Sequence, residues 1–200
     1  SFQKPTLIST GLTSASFTEK IVEFWSQKSD LSTLALMHCV SSYPVPANEA
    51  NLSAINSIRD KYRSVCVGYS DHTMGIAIPI SAVALGASVI EKHFTLDRSM
   101  EGPDHKASLE PDELKAMVSG IRNIEVALGD GIKQPSESEK KNISIARKSI
   151  VAIKEIKKGE LFTAENIGVK RPGTGISPMK WREVLGKPSD KDYKSDELIG

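Results

Sequence analysis

Four short apolar runs, each followed by a polar loop and then a helical pattern, fill residues 1–130 and limit the fold to very few choices. The runs are residues 5–9 (PTLIS), 34–40 (LALMHCV), 64–69 (SVCVGY) and 88–94 (SVIEKHF). Between them, residues 15–27 place Phe17, Ile21, Phe24 and Trp25 on one helical face. Residues 51–62 repeat Leu52, Ile55 and Ile58 at helical spacing, and residues 76–86 (IAIPISAVALG) carry small side chains suited to close packing. Pro111 opens a longer helix with Leu114, Met117, Val118, Ile121, Ile124 and Leu128 on its expected core face.

Strand–loop–helix units of this length imply a parallel sheet with right-handed crossovers. Two architectures remain, an open doubly wound sheet and part of a (β/α)8 barrel. Both collect ligand groups where strands end in loops, and here the polar clusters follow the strands. No Gly-x-Gly-x-x-Gly accompanies them, which argues against a dinucleotide fold. Residues 131–142, polar and charged, read as a linker between a first domain at 1–130 and a small second domain at 143–200. In the latter, residues 148–152 (KSIVA) and 168–170 (GVK) resemble strands, residues 178–185 a short helix, and Trp181 belongs to the core.

Charge argues against a nucleic-acid partner: 26 basic and 25 acidic residues leave a formal net charge of +1. No apolar run approaches the roughly 20 residues that cross a bilayer. Cys39 and Cys66 lack C-x-x-C spacing and read as free thiols of a cytoplasmic protein. The first residues (SFQKPTLISTG) read as a cut edge inside a longer protein.

His72 follows a strand beside Ser70, Asp71 and Thr73, and His93 lies near the end of the next strand in Glu91-Lys92-His93. The strand period turns Glu91 and His93 to one face and Lys92 to the other. Imidazoles from adjacent strands can share one cation, and each can equally be a satisfied core or capping histidine. Asp104 can bond sugar hydroxyls or cap a turn. His38, among apolar neighbours, reads as a core residue, while Tyr43 lines a pocket or anchors its loop. Ser9, Thr10 and Gly11 stand at a strand-to-helix junction suited to phosphate or to plain capping. Arg171 before Pro172 offers a fork for a carboxylate or amide oxygen, or is an ordinary surface arginine.

The ordered series STG (9–11), LMHCVSSYPVP (36–46), GYSDHTMGI (68–76), ALGASVIEKHFTLDRSMEGPDHKASLEP (84–111), ARKSIVAIKEIKKGE (146–160) and KRPGTGISP (170–178) is more specific. It resembles the N-acylneuraminate (sialic acid) synthase family, including its legionaminate- and pseudaminate-making relatives, over almost the whole chain. The resemblance implies the second half of a TIM barrel, strands five to eight, followed by a β-rich antifreeze-like (SAF) domain. It implies condensation of phosphoenolpyruvate with N-acetylmannosamine or a related N-acyl hexosamine. His72 and His93 then resemble the ligands of a divalent metal, Mn2+ before Mg2+ or Co2+. Glu91 resembles a catalytic carboxylate, Ser9 and Ser70 resemble phosphoenolpyruvate contacts, and Tyr43 and Asp104 resemble acceptor contacts. Ser41 stands where some relatives place Asn. Arg171 resembles an arginine lent to the partner's acceptor in a homodimer that exchanges its SAF domains. The anion-binding lysines of the family come from strands one to four, so the chain alone is expected to be inactive.

Overall fold

The computed structural model describes residues 4–200. The chain divides into two units, residues 1–131 and 132–200. The first alternates β1 (Thr6–Ser9), α1 (Ala15–Ser26), β2 (Leu34–Cys39), α2 (Ser53–Lys61), β3 (Cys66–Asp71), α3 (Ala77–Ala84), β4 (Val89–Lys92) and α4 (Pro111–Leu128). Its four strands are parallel and stand in the order β1-β2-β3-β4. A doubly wound sheet reverses strand order at a switch point. Here the order does not reverse, as in a barrel wall.

Register sorts the side chains into two sets. Ile8, Leu36 and Val67 share one row, and Tyr69 pairs with Ile90 on the same face. That face packs against Val22 and Trp25 of α1, Ile55 of α2 and Ala82 of α3. Burying each such large aliphatic side chain stabilises by about 1.5–3 kcal/mol. The opposite face carries Ser9, Met37 and Gly68 in one row and Cys39, Ser70 and Glu91 in the next. Helices on one face and polar groups on the other are the two sides of a half-barrel sheet.

Several expected elements differ in detail. The buried stripe of α1 is Thr18, Val22 and Trp25, while Phe17 and Phe24 are each 53% exposed. The stripe that meets the sheet runs through a threonine, which hydrophobicity alone does not mark. In α4 the apolar stripe buries Met117, and Val118 and Leu128 stay exposed. Strand β3 continues through Ser70 and Asp71, which the sequence reads as loop, and β4 stops at Lys92, one residue before His93. The start of α4 is fixed by a capping box between Glu110 and Glu113, with Arg98 donating to the Glu113 carboxylate. That bond holds the Glu113 carboxyl below the usual glutamate range.

The second unit holds an antiparallel pair, β5 (Ser149–Ala152) and β6 (Ile167–Lys170). Before it come two single-turn helices, α5 (Glu137–Lys140) and α6 (Ile143–Ala146), so the segment expected as a linker contains a capped helical turn. Ile150, Ile156, Phe162, Ile167 and Tyr193 form the core, with Trp181, at the start of α7 (Trp181–Val184), packed against it.

Gly68 lets Met37 lie across β3. A Cβ there would sit 2.3 Å from Met37 Sδ and 2.9 Å from the Val89 carbonyl oxygen. Gly68→Ala is therefore expected to destabilise the first unit by about 1–3 kcal/mol. Urea denaturation followed by circular dichroism measures it, and an unchanged midpoint would contradict this packing.

Candidate functional site

Residues two apart on a strand point the same way. Ser70 pairs with Glu91 across β3 and β4, and His72 and His93 lie two residues further along each. The two rings come together beyond the strand ends, with centroids 5.2 Å apart and planes at 68°. Tyr43, from the loop after β2, places its ring 4.2 Å from that of His72 and 5.5 Å from that of His93. The loop is held in place by the Val45 N–H, which donates to the His72 carbonyl at 2.9 Å.

His72 is 7% exposed. Its Nδ1 lies 2.9 Å from the Val40 carbonyl oxygen. A carbonyl cannot donate, so Nδ1 carries a proton, which in the neutral ring puts the lone pair on Nε2. His93 is more open, and its Nδ1 lies 3.9 Å from Asp104 Oδ2. The Asp104 side chain makes no cap bond to the short turn that follows it. The capping role expected as one alternative is therefore not seen, and the carboxylate lies toward His93.

The pair can clasp one cation. An imidazole nitrogen about 2 Å from a metal puts its ring centre about 3 Å away, so two rings 5.2 Å apart are within reach of a shared ion. The neutral Nε2 of His72, oriented from behind by a backbone carbonyl, is the donor such a site needs. Among the described residues, no group of three or more His, Cys, Asp and Glu side chains is gathered for a metal.

On the same sheet face, Ser70 is 3% exposed, whereas Ser9, two strands away on β1, and Glu91 are open to solvent. Ser41 is exposed beside the first loop. A Cβ at Gly11 would lie 2.2 Å from its Oγ, so the glycine makes room for that hydroxyl. Arg171 is carried by the second unit, where its Nε donates to the Ala146 carbonyl at 3.1 Å. His38 is a core residue as expected: its Nε2 meets the Ala50 carbonyl at 2.9 Å and its ring stacks on Tyr69. A cavity of about 730 Å³ between α1 and α2 takes in Ser41 but neither His72 nor His93. A site on the face of an open sheet has no walls to enclose it.

Lys92 faces away from the histidines. Its Nζ lies 2.7 Å from Asp71 Oδ2 and 2.5 Å from the Thr73 carbonyl oxygen. An amine so engaged on the far side of the sheet is not available to the site as a nucleophile. The sequence assigned neither Asp71 nor Lys92 a part in this arrangement. The signal was there, in opposite charges that each precede a histidine.

The carbonyl bond at His72 has a direct spectroscopic consequence. Long-range 15N–1H spectra of the metal-free chain are expected to show the Nδ1–H tautomer at His72. A dominant Nε2–H form would contradict the arrangement.

Both units of the chain resemble known proteins. Residues 1–133 match the NeuB family and residues 147–200 match the SAF domain. The chain is 53% identical to N,N'-diacetyllegionaminic acid synthase of Campylobacter jejuni over 98% of its own length and 59% of that protein's. It is 32% identical to N-acetylneuraminate-9-phosphate synthase of Drosophila melanogaster, over 98% of this chain and 59% of the relative. Among solved structures, N-acetylneuraminic acid (sialic acid) synthetase from Leptospira borgpetersenii in complex with citrate is 45% identical, with a TM-score of 0.62. That match covers 68% of this chain and 47% of the other. The spore coat polysaccharide biosynthesis protein SpsE of Bacillus subtilis gives 33% and 0.58, over 98% of this chain and 60% of the other. The chain thus spans less than two thirds of the length of these relatives.

Proposed function

Since the chain belongs to the NeuB family and carries a SAF domain, we propose that it is the metal- and acceptor-binding part of a nonulosonate synthase. The parent enzyme condenses phosphoenolpyruvate with an N-acyl hexosamine such as N-acetylmannosamine and releases phosphate. The observation that carries this reading is the pair of imidazoles from neighbouring strand ends, 5.2 Å apart, with the Tyr43 ring against both and the Asp104 carboxylate 3.9 Å from His93 Nδ1. In this reading the sheet is the second half of a TIM barrel, strands five to eight, and the remaining strands supply the groups that hold phosphate and carboxylate.

His72 and His93 would hold a divalent cation, Mn2+ before Mg2+ or Co2+. Such an ion, when bound, supplies Lewis acidity toward the acceptor's aldehyde oxygen. Two histidines alone would leave room for substrate and water as further ligands. Tyr43 and Asp104 flank the pair and orient the acceptor, and Ser41 contributes a hydroxyl at the same mouth. Ser9 and Ser70 donate hydrogen bonds to phosphoenolpyruvate oxygens. A bond then forms between C3 of phosphoenolpyruvate and the aldehyde carbon, leaving positive charge at C2. Glu91, on the same row as Ser70, faces that charge and stabilises it. Water adds at C2, and the C–O bond breaks to release phosphate and a 2-keto sugar acid. The parent acts as a homodimer in which Arg171 reaches the partner's acceptor through an exchanged SAF domain.

The identity of 53% to a diacetyllegionaminate synthase supports a narrower second reading. Phosphoenolpyruvate brings no nitrogen, so both acetamido groups of such a product come from the acceptor. A diacetamido sugar is therefore the acceptor to assay beside N-acetylmannosamine.

With both substrates and Mn2+, the chain alone is expected to release no phosphate, and release at an enzyme-like rate would refute that. Fused behind the four-strand amino-terminal half of a related synthase, it is expected to turn over. His72→Ala should then lower the rate more than about 100-fold, since even groups behind a metal ligand are worth roughly 10–100-fold. An unaffected rate would end the ligand assignment.

A further inference from the structure

Asp71 and Lys92 are register partners across β3 and β4. Each immediately precedes one of the two histidines and points to the opposite face of the sheet. Their side chains are 0% and 2% exposed. Lys92 Nζ donates to Asp71 Oδ2 at 2.7 Å and to the Thr73 carbonyl at 2.5 Å. Asp71 Oδ1 accepts the Thr73 N–H at 2.9 Å. Both chain neighbours of His72 are thereby tied to the residue that adjoins His93, Asp71 through its carboxylate and Thr73 through its carbonyl, while the Thr73 N–H closes the set onto Asp71.

From this geometry we propose that the buried Asp71–Lys92 pair is a positioning clamp that sets the separation and aim of His72 and His93. The proposal rests on the functional reading above and deepens it. Both residues act through the imidazoles and touch no substrate.

Stability alone is a poor account of the pair. Taking two charges out of water costs about as much as their attraction returns, and apolar residues of the same volume often replace a buried pair without loss. The pair does something that an apolar contact cannot. Its three directed bonds have fixed lengths and angles, and they meet on the two residues that bracket His72. Strand ends are where a sheet opens most readily. Without the clamp, the backbone beyond Asp71 and Lys92 keeps the Val45 N–H bond to the His72 carbonyl but loses its link between β3 and β4.

The test compares the full chain with Asp71→Asn, Lys92→Met and the double variant. Each single change leaves a buried charge unpaired and is expected to lower the thermal midpoint. The double change leaves none and is expected to recover most of that loss. Recovery is not expected at the site. In the metal-free double variant the His72 imidazole should give mixed tautomers in 15N–1H spectra. Its Mn2+ affinity by electron paramagnetic resonance should fall roughly 10–100-fold, as for other groups that orient metal ligands. A folded double variant with one Nδ1–H tautomer and parental Mn2+ affinity would overturn the clamp.

Asp71→Glu keeps both charges and lengthens the bridge by one methylene, so it answers the question if the neutral variants do not fold. It should weaken Mn2+ binding about tenfold, and an unchanged affinity would again overturn the proposal. If the parental chain binds no Mn2+, the metal reading fails, and the tautomer spectra judge the clamp by themselves.

Discussion

Because Ser70 stands opposite Glu91 in the β3–β4 ladder, the residues two places on, His72 and His93, leave the sheet on the same side. A slip of one residue would send one imidazole toward the helices and put Lys92 or Asp71 in its place. The register is held by the helix-facing layer, where Tyr69 and Ile90 pack with Ile55 and Ala82. It is held again at its end by the buried Asp71–Lys92 bridge. Packing on one face therefore decides what the other face can bind.

The same logic explains the small residues. Gly68 opens room for Met37 on the site face, and Gly11 does so for the Ser41 hydroxyl. Val40 contributes a backbone carbonyl whose position fixes the proton on His72. Burial pushes the Tyr69 phenol above its ordinary range, with the Asp71 carboxylate adding to the effect, so Tyr69 stays a neutral neighbour of that carboxylate. Burial calls for partners on polar groups of the helix-facing side, yet among the described residues Tyr62 Oη and Thr73 Oγ1 are buried without a hydrogen-bond partner.

Much of this was legible before any coordinates. Alternating apolar runs and helical stripes located all four strands of the first unit, and the strand period placed Glu91 and His93 together with Lys92 opposite. What was misread depended on partners distant in the chain. Ser70 and Asp71 look like loop residues because a strand end bearing a carboxylate needs a counter-charge, and Lys92 is 21 residues away. The face of α1 was misjudged because Phe17 and Phe24 outweigh Thr18 on any hydrophobic scale, although Thr18 is the residue buried. The His72 tautomer was invisible for a different reason: it is set by a main-chain carbonyl, and main chain has no sequence signal.

On the proposed reading one cation sits between His72 and His93, and anomalous diffraction from Mn2+-soaked crystals would locate it. A single strong peak is expected about 2 Å from an imidazole nitrogen of each ring, with Nε2 as the donor on His72. A peak bound to one histidine alone, or to the Asp71 side of the sheet, would contradict it.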